Sequence, residues 1–174
     1  MRVTIGQINT TNGDYEGNTA AVIRAIEHGK KTASDVVVLP ETCIQGYTSF
    51  DWFLDRDVVS CVLGPLEKIT SATEGLTAVV GTVRPTDKPT GRKLYNSAAI
   101  ISNRKLIGFA DKTLLPEYDV FDDPRYFEPA PEQQAMAGWG SFDRTMDALE
   151  MHLSDSDYAC GDRFTMADVY VGSS

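Results

Sequence analysis

The chain has 174 residues, of which 42% are hydrophobic and 24% charged, and it carries a formal net charge of −9. That length and mixture fit one ordinary globular domain and exclude a disordered or fibrous chain. The acidic balance argues against nucleic acid and anionic membranes as partners, because phosphate binding needs clustered Lys and Arg; no apolar run approaches the roughly 20 residues of a membrane helix.

In chain order, Val3 to Ile8 is short and β-rich, and a polar turn follows at Thr10 to Asp14 with Asn12-Gly13. Val22, Ile26, Gly29 and Ala33 recur at helical spacing. Val36-Val37-Val38-Leu39 is a continuous apolar run closed by Pro40, which suits a strand buried on both faces. An aromatic loop covers Tyr47 to Leu54. A helix starts near Pro65, a residue suited to a first helical turn, and runs to about Ala72. Leu76 to Val83 reads as a strand and Pro85 to Arg92 as a loop. Tyr95 to Ser102 and Lys105 to Ala110 read as strands joined by a hairpin turn at Asn103-Arg104.

The pattern changes near Ala130-Pro131, where a boundary is placed. Phe142, Met146, Leu149 and Leu153 form an amphipathic helical stripe. Thr165-Met166-Ala167-Asp168 is a capping box, with Phe164 and Val169 placed as a hydrophobic staple. The three cysteines, Cys43, Cys61 and Cys160, are odd in number, widely spaced and preceded by no secretion signal, which reads as reduced thiols in a cytoplasm. Cys61 sits in an apolar stretch and reads as packing.

Two residues stand where α/β folds place their chemistry, just past strand ends. Glu41 suits a general base if a nucleophile lies within reach, or a loop cap. Lys112, after Asp111, suits oxyanion stabilisation or a partner that keeps a carboxylate charged, or a solvated lysine. The acidic cluster Asp119, Asp122, Asp123 and Glu128 lacks the ligand spacing of a calcium loop, so no metal is expected. His28 and His152 are expected on helix surfaces. No glycine-rich phosphate loop is present, and no cofactor is expected.

With their flanks these residues become specific. Val36-Val-Val-Leu-Pro-Glu-Thr-Cys-Ile-Gln-Gly-Tyr47 and Asp111-Lys-Thr-Leu-Leu-Pro-Glu-Tyr-Asp-Val-Phe-Asp-Asp-Pro-Arg-Tyr-Phe-Glu-Pro129 resemble the nitrilase, or carbon–nitrogen hydrolase, superfamily. The branch they resemble most is the glutaminase domain of glutamine-dependent NAD synthetases, over residues 1 to 130. The resemblance implies an α/β fold, half of an αββα sandwich, and a Glu-Lys-Cys triad that attacks the side-chain amide of glutamine through a thioester and releases ammonia for NAD synthesis. Glu41 matches the base, Lys112 the triad lysine, and Tyr118 lies in the segment that lines the substrate pocket. The matching cysteine is expected tens of residues past Lys112, at a strand end. Residues 133–174 hold only Cys160, in Tyr158-Ala-Cys-Gly-Asp162, with no strand before it.

Residues 131–174 resemble instead the C-terminal helical domain of glutathione transferases, through Gly138-Trp-Gly-Ser-Phe-Asp-Arg-Thr-Met-Asp-Ala-Leu-Glu and Tyr158-Ala-Cys-Gly-Asp-Arg-Phe-Thr-Met-Ala-Asp-Val-Tyr170. The thioredoxin-like domain that binds glutathione has no counterpart, so no glutathione chemistry is expected. The chain therefore reads as a hybrid: a nitrilase-type half lacking its nucleophile, inactive as it stands, joined to a helical all-α tail. Its expected small-molecule partner is an amide, glutamine. Two other readings stand beside it. One is a non-catalytic interaction module, or an artificial hybrid without function, whose exposed strand edges and apolar faces associate into homo-oligomers. The other is a residual hydrolase using Cys43 or Cys160.

Overall fold

A computed structural model describes residues 1–130 apart from 48, 56–59 and 87. Contacts divide the chain into Met1–Pro131 and Glu132–Ser174, and every described element belongs to the first unit. The expectations for the tail, including its helices, His152 and Cys160, lie outside the described residues.

Five strands form one mixed sheet in sequential order: β1 (Val3–Ile5), β2 (Val36–Val38), β3 (Thr77–Pro85), β4 (Leu94–Ser102) and β5 (Lys105–Asp111). β1, β2 and β3 run parallel, and β4 and β5 return antiparallel. The parallel pairs need crossovers, which two helices supply: α1 (Tyr15–Lys31) and α2 (Leu63–Ala72). α1 begins because Asp14 accepts a hydrogen bond from the Gly17 amide at 2.9 Å, and Glu16 faces the positive end of the helix. It ends with His28, Lys30 and Lys31 in the last turn. Ala33, expected in the helical stripe, lies past this end with φ 52°, where the chain reverses.

α1 lies close against the sheet at Gly29, where an added Cβ would meet Val37 Cγ2 at 2.3 Å. Val22, Ile26 and Ile69 meet Val37, Ala78, Val80, Ala99 and Ile101 in one buried cluster. Each large side chain buried there contributes roughly 1.5–3 kcal/mol. The β4–β5 hairpin turns at Asn103 (φ 47°) and Arg104 (φ 63°), both left-handed as a two-residue primed turn requires.

The sheet is covered on one face only by described residues, and this corrects the expectation for β2. Val37 is fully buried under the helices, but Val36 and Val38, one pleat away, are only half-buried. Val3 and Ile5 share their side of the pleat and are 46% and 80% exposed. The described residues thus form one sheet-and-helix half of an α/β sandwich. Two short elements were not anticipated: a 3-10 helix at Phe50–Leu54 inside the aromatic loop, and α3 (Asp123–Tyr126), started by Pro124 in its first turn.

Candidate active site

Glu41 stands in the turn that leaves β2. The turn rests on Gly81 of β3, where an added Cβ would lie 2.1 Å from the Pro40 carbonyl oxygen and 2.6 Å from Glu41 Cα. Glycine at 81 is therefore a packing requirement set by the neighbouring turn. After Glu41, the Gly46 amide bonds the Thr42 carbonyl at 2.9 Å, coiling Cys43, Ile44 and Gln45 into the buried core.

Lys112 follows β5, and its amide continues the ladder by donating to the Asn96 carbonyl at 2.8 Å. Strand alternation sends its chain neighbour to the other face. There Asp111 accepts from Arg84 Nε at 2.8 Å and Ser97 Oγ at 2.6 Å. The carboxylates that meet Lys112 come instead from distant segments. Its Nζ lies 2.8 Å from Glu41 Oε1 and 2.9 Å from Asp123 Oδ2. Burial works against the charge of Lys112, but the hydrogen bonds and charges of Glu41 and Asp123 outweigh it and hold the ammonium above the usual lysine range.

Asn96, on β4 and 5% exposed, donates from Nδ2 to the same Glu41 oxygen that Lys112 binds. Glu41 Oε1 thus carries both donors, and no donor among the described residues reaches Oε2. A carboxylate held in this way keeps one oxygen free to take a proton while the other is fixed.

Two hollows meet at this group. On the open sheet face, a depression of about 270 Å³ is bordered by Glu41, Gly81, Asn96, Ala98 and Lys112. On the other side, a narrow cleft of about 40 Å³ is walled by Tyr47, Phe50, Phe121 and Tyr126 beside Glu41. Tyr118 borders neither; it is 67% exposed, with its ring against Phe121 at 5.4 Å between centroids.

A base and a cation fixed together past two strand ends are what amide hydrolysis asks of a scaffold, and comparison with known proteins agrees. The carbon-nitrogen hydrolase family model matches residues 2–173. The chain belongs to the carbon–nitrogen hydrolase family. It is 34% identical over 134 residues to the glutamine-dependent NAD(+) synthetase of Thermotoga maritima, covering 76% of this chain and 22% of that one. Against the Synechocystis synthetase it is 26% identical over 195 residues, covering 93% of this chain and 35% of the relative. Among solved structures, a glutamine-dependent NAD(+) synthetase from Cytophaga hutchinsonii superposes with a TM-score of 0.71 at 27% identity, over 76% of this chain and 22% of that one. An amidase from Nesterenkonia shares the fold at a TM-score of 0.62 and 17% identity, over 76% of this chain and 49% of that one. The chain thus spans about a fifth to a third of the synthetases it matches. The family match runs on past residue 131, through the segment expected to be a separate helical tail.

Reactions of this hydrolase family, as the resemblance implies, need a thiol, and neither described cysteine meets Glu41. Cys43, two residues on, is fully buried with Sγ donating to the Gly81 carbonyl at 3.4 Å. Burial pushes its thiol up to about 12, the opposite of an activated nucleophile. This removes Cys43 from the residual-hydrolase reading. Cys61 is exposed rather than packed, because it lies on the outer side just before α2. The acidic cluster also resolves into separate pairs: Asp123 serves Lys112, and Glu128 meets Lys88 Nζ at 2.8 Å and the Arg92 amide at 3.0 Å. Sequence reasoning missed Asn96 and the Lys112–Asp123 pair. A polar residue inside Leu94-Tyr-Asn-Ser-Ala was the available signal for Asn96, since a buried amide needs a partner.

Proposed function

We propose that this site acts on the side-chain amide of glutamine, as part of a protein that supplies ammonia for NAD synthesis. The carrying observation is the Glu41–Lys112 pair at 2.8 Å with Glu41 Oε2 left without a donor among the described residues. Glu41 takes the proton of the attacking thiol, and Lys112 stabilises the oxygen of the tetrahedral intermediate. Tyr118 lies in the segment that, by the same resemblance, lines the substrate pocket. The resemblance to glutamine-dependent synthetases supports the choice of glutamine.

The thiol comes from outside the described residues. Cys160, the one cysteine of residues 133–174, has no strand signal before it in the sequence, and on that reading the 174-residue chain binds glutamine without hydrolysing it. A titration of glutamine into the isotope-labelled chain tests the binding: saturable shifts at Asn96 and Lys112, absent with glutamate, support it. A chain that shows no shift at these residues overturns it.

For residues 131–174 two readings compete. The Thr165–Asp168 capping box and the stripe at Phe142, Met146, Leu149 and Leu153 support a helical, glutathione-transferase-like segment. The family match reaching residue 173 supports a continuation of the hydrolase. Backbone chemical shifts of these residues in the full chain decide: helix throughout favours the first, a strand before Cys160 the second. Residence in a cytoplasm goes with the glutaminase reading. Among the described residues no helix is long and apolar enough to cross a membrane.

A further inference from the structure

Behind the aromatic wall of the Glu41 cleft lies a larger cavity of about 610 Å³, between the 3-10 helix and the loop joining β3 to β4. Phe53 and Tyr126 belong to the walls of both hollows. The cavity floor is apolar, made by Phe53, Leu94 and Tyr126, each under 10% exposed. Its rim carries Arg92, Lys93 and Arg125.

The charges at the rim are the informative feature. The chain as a whole carries −9, so a cationic cluster at this cavity runs against the background. Arg125 meets Asp51 through Nε at 3.0 Å. Arg92 and Lys93 meet no carboxylate through their side chains among the described residues. Arg92 Nε donates to the Pro124 carbonyl at 2.9 Å, and Lys93 Nζ to the Pro89 carbonyl at 2.8 Å. Glu128 is engaged by Lys88 at 2.8 Å through one oxygen and by the Arg92 amide at 3.0 Å through the other, and the Arg92 charge also acts on it. These carbonyl bonds orient the two cations, and neither side chain is ion-paired within hydrogen-bond distance among the described residues. An apolar floor, a few convergent donors and this volume are the features of a small-molecule site. Two charges beside the Thr86 hydroxyl suit a doubly charged anion better than a single carboxylate.

We propose that this cavity binds a phosphate monoester carried on a flat aromatic or heterocyclic body, a ligand the size of a mononucleotide. The ring lies on Phe53, Leu94 and Tyr126, and the phosphate meets Arg92 and Lys93. The site is separate from the amide-hydrolysing group and does not depend on the glutamine reading.

The test is calorimetric and uses the full 174-residue chain with adenosine monophosphate, adenosine and inorganic phosphate as probes. The expected result is that the monophosphate binds at least about tenfold more tightly than either fragment, since both halves of the site contribute. Arg92→Gln with Lys93→Gln weakens it by about tenfold or more, as the loss of charge-assisted bonds requires, with an unchanged thermal midpoint showing that the variant is folded. Glu41→Gln leaves the binding unchanged, which separates it from the neighbouring cleft. Monophosphate that binds no better than phosphate, or binds equally to the double variant, or does not bind at millimolar concentration, overturns the proposal.

Discussion

Asn96 and Lys112 both donate to one oxygen of Glu41, although the three residues come from three separate segments of the chain. Asn96 also accepts the Lys112 amide through its main-chain carbonyl, so a single residue of β4 fixes both members of the pair. Glu41 is positioned by the sheet and not by its own turn alone.

Replacing Asn96 with Leu leaves its site filled but removes the donor to Glu41. Hydrogen bonds to charged groups are worth about 1.5–3 kcal/mol, so the folded chain should lose stability of that order. Urea denaturation of the variant reads the change, and an Asn96→Leu chain as stable as the parent contradicts the assigned bond.

Gly81→Ala pushes a methyl group against the Pro40 carbonyl, 2.1 Å from where it would stand. The turn bearing Glu41 must shift, at a cost of about 1–3 kcal/mol for an overpacked contact. The expected signature is a lower denaturation midpoint together with displaced backbone signals at Glu41 and Thr42. A silent substitution would mean that the turn does not rest on β3.

The pH dependence of the ion pair follows from Lys112. Its folded-state value is raised, so its contribution is complete below the ordinary value of 10.5 and is lost as pH rises through the higher folded one. Lys112 therefore stays a cation through neutral pH, and on the alkaline side the pair weakens only in strong alkali. The difference in stability between the parent and Lys112→Met, measured from pH 6 to 11, should be flat until that alkaline limb. A difference that disappears between pH 6 and 9 contradicts the assignment.

Thiol labelling separates the cysteines. Cys61 is exposed and Cys43 is buried with its thiol pushed up to about 12. Iodoacetamide at neutral pH should modify the Cys61 peptide at least about a hundredfold faster, because reaction requires an accessible thiolate. Peptide mass spectrometry provides the rates, and comparable rates would overturn the burial of Cys43.

Much of the sheet was legible in the sequence because its signals are local. The β4–β5 hairpin announced itself through two apolar runs separated by Asn103-Arg104, and the α1 stripe through Val22 and Ile26. Glu41 and Lys112 were legible through their motifs, and the structure brings them together. The one-sided burial of β2 was not, since the run Val36–Leu39 has the same composition whether one face or two are covered. Nor was the pairing of Lys112 with Asp123 in place of its neighbour Asp111, which depends on how the loop after β5 folds back. Cys61 was misplaced because an apolar stretch in sequence does not fix burial in space: Val62 beside it is buried, while Cys61 and Leu63 are exposed.

The most direct test follows glutamine binding and ammonia release in the same samples of the 174-residue chain, beside its Cys43→Ala, Cys61→Ala, Cys160→Ala triple variant. The account predicts saturable glutamine binding in both and no release from the parent above that of the variant. Absence of binding would contradict the site. Alkylation-sensitive release that the triple variant loses would show that a thiol of this chain reaches Glu41, and would contradict the proposal that the 174-residue chain binds glutamine without hydrolysing it.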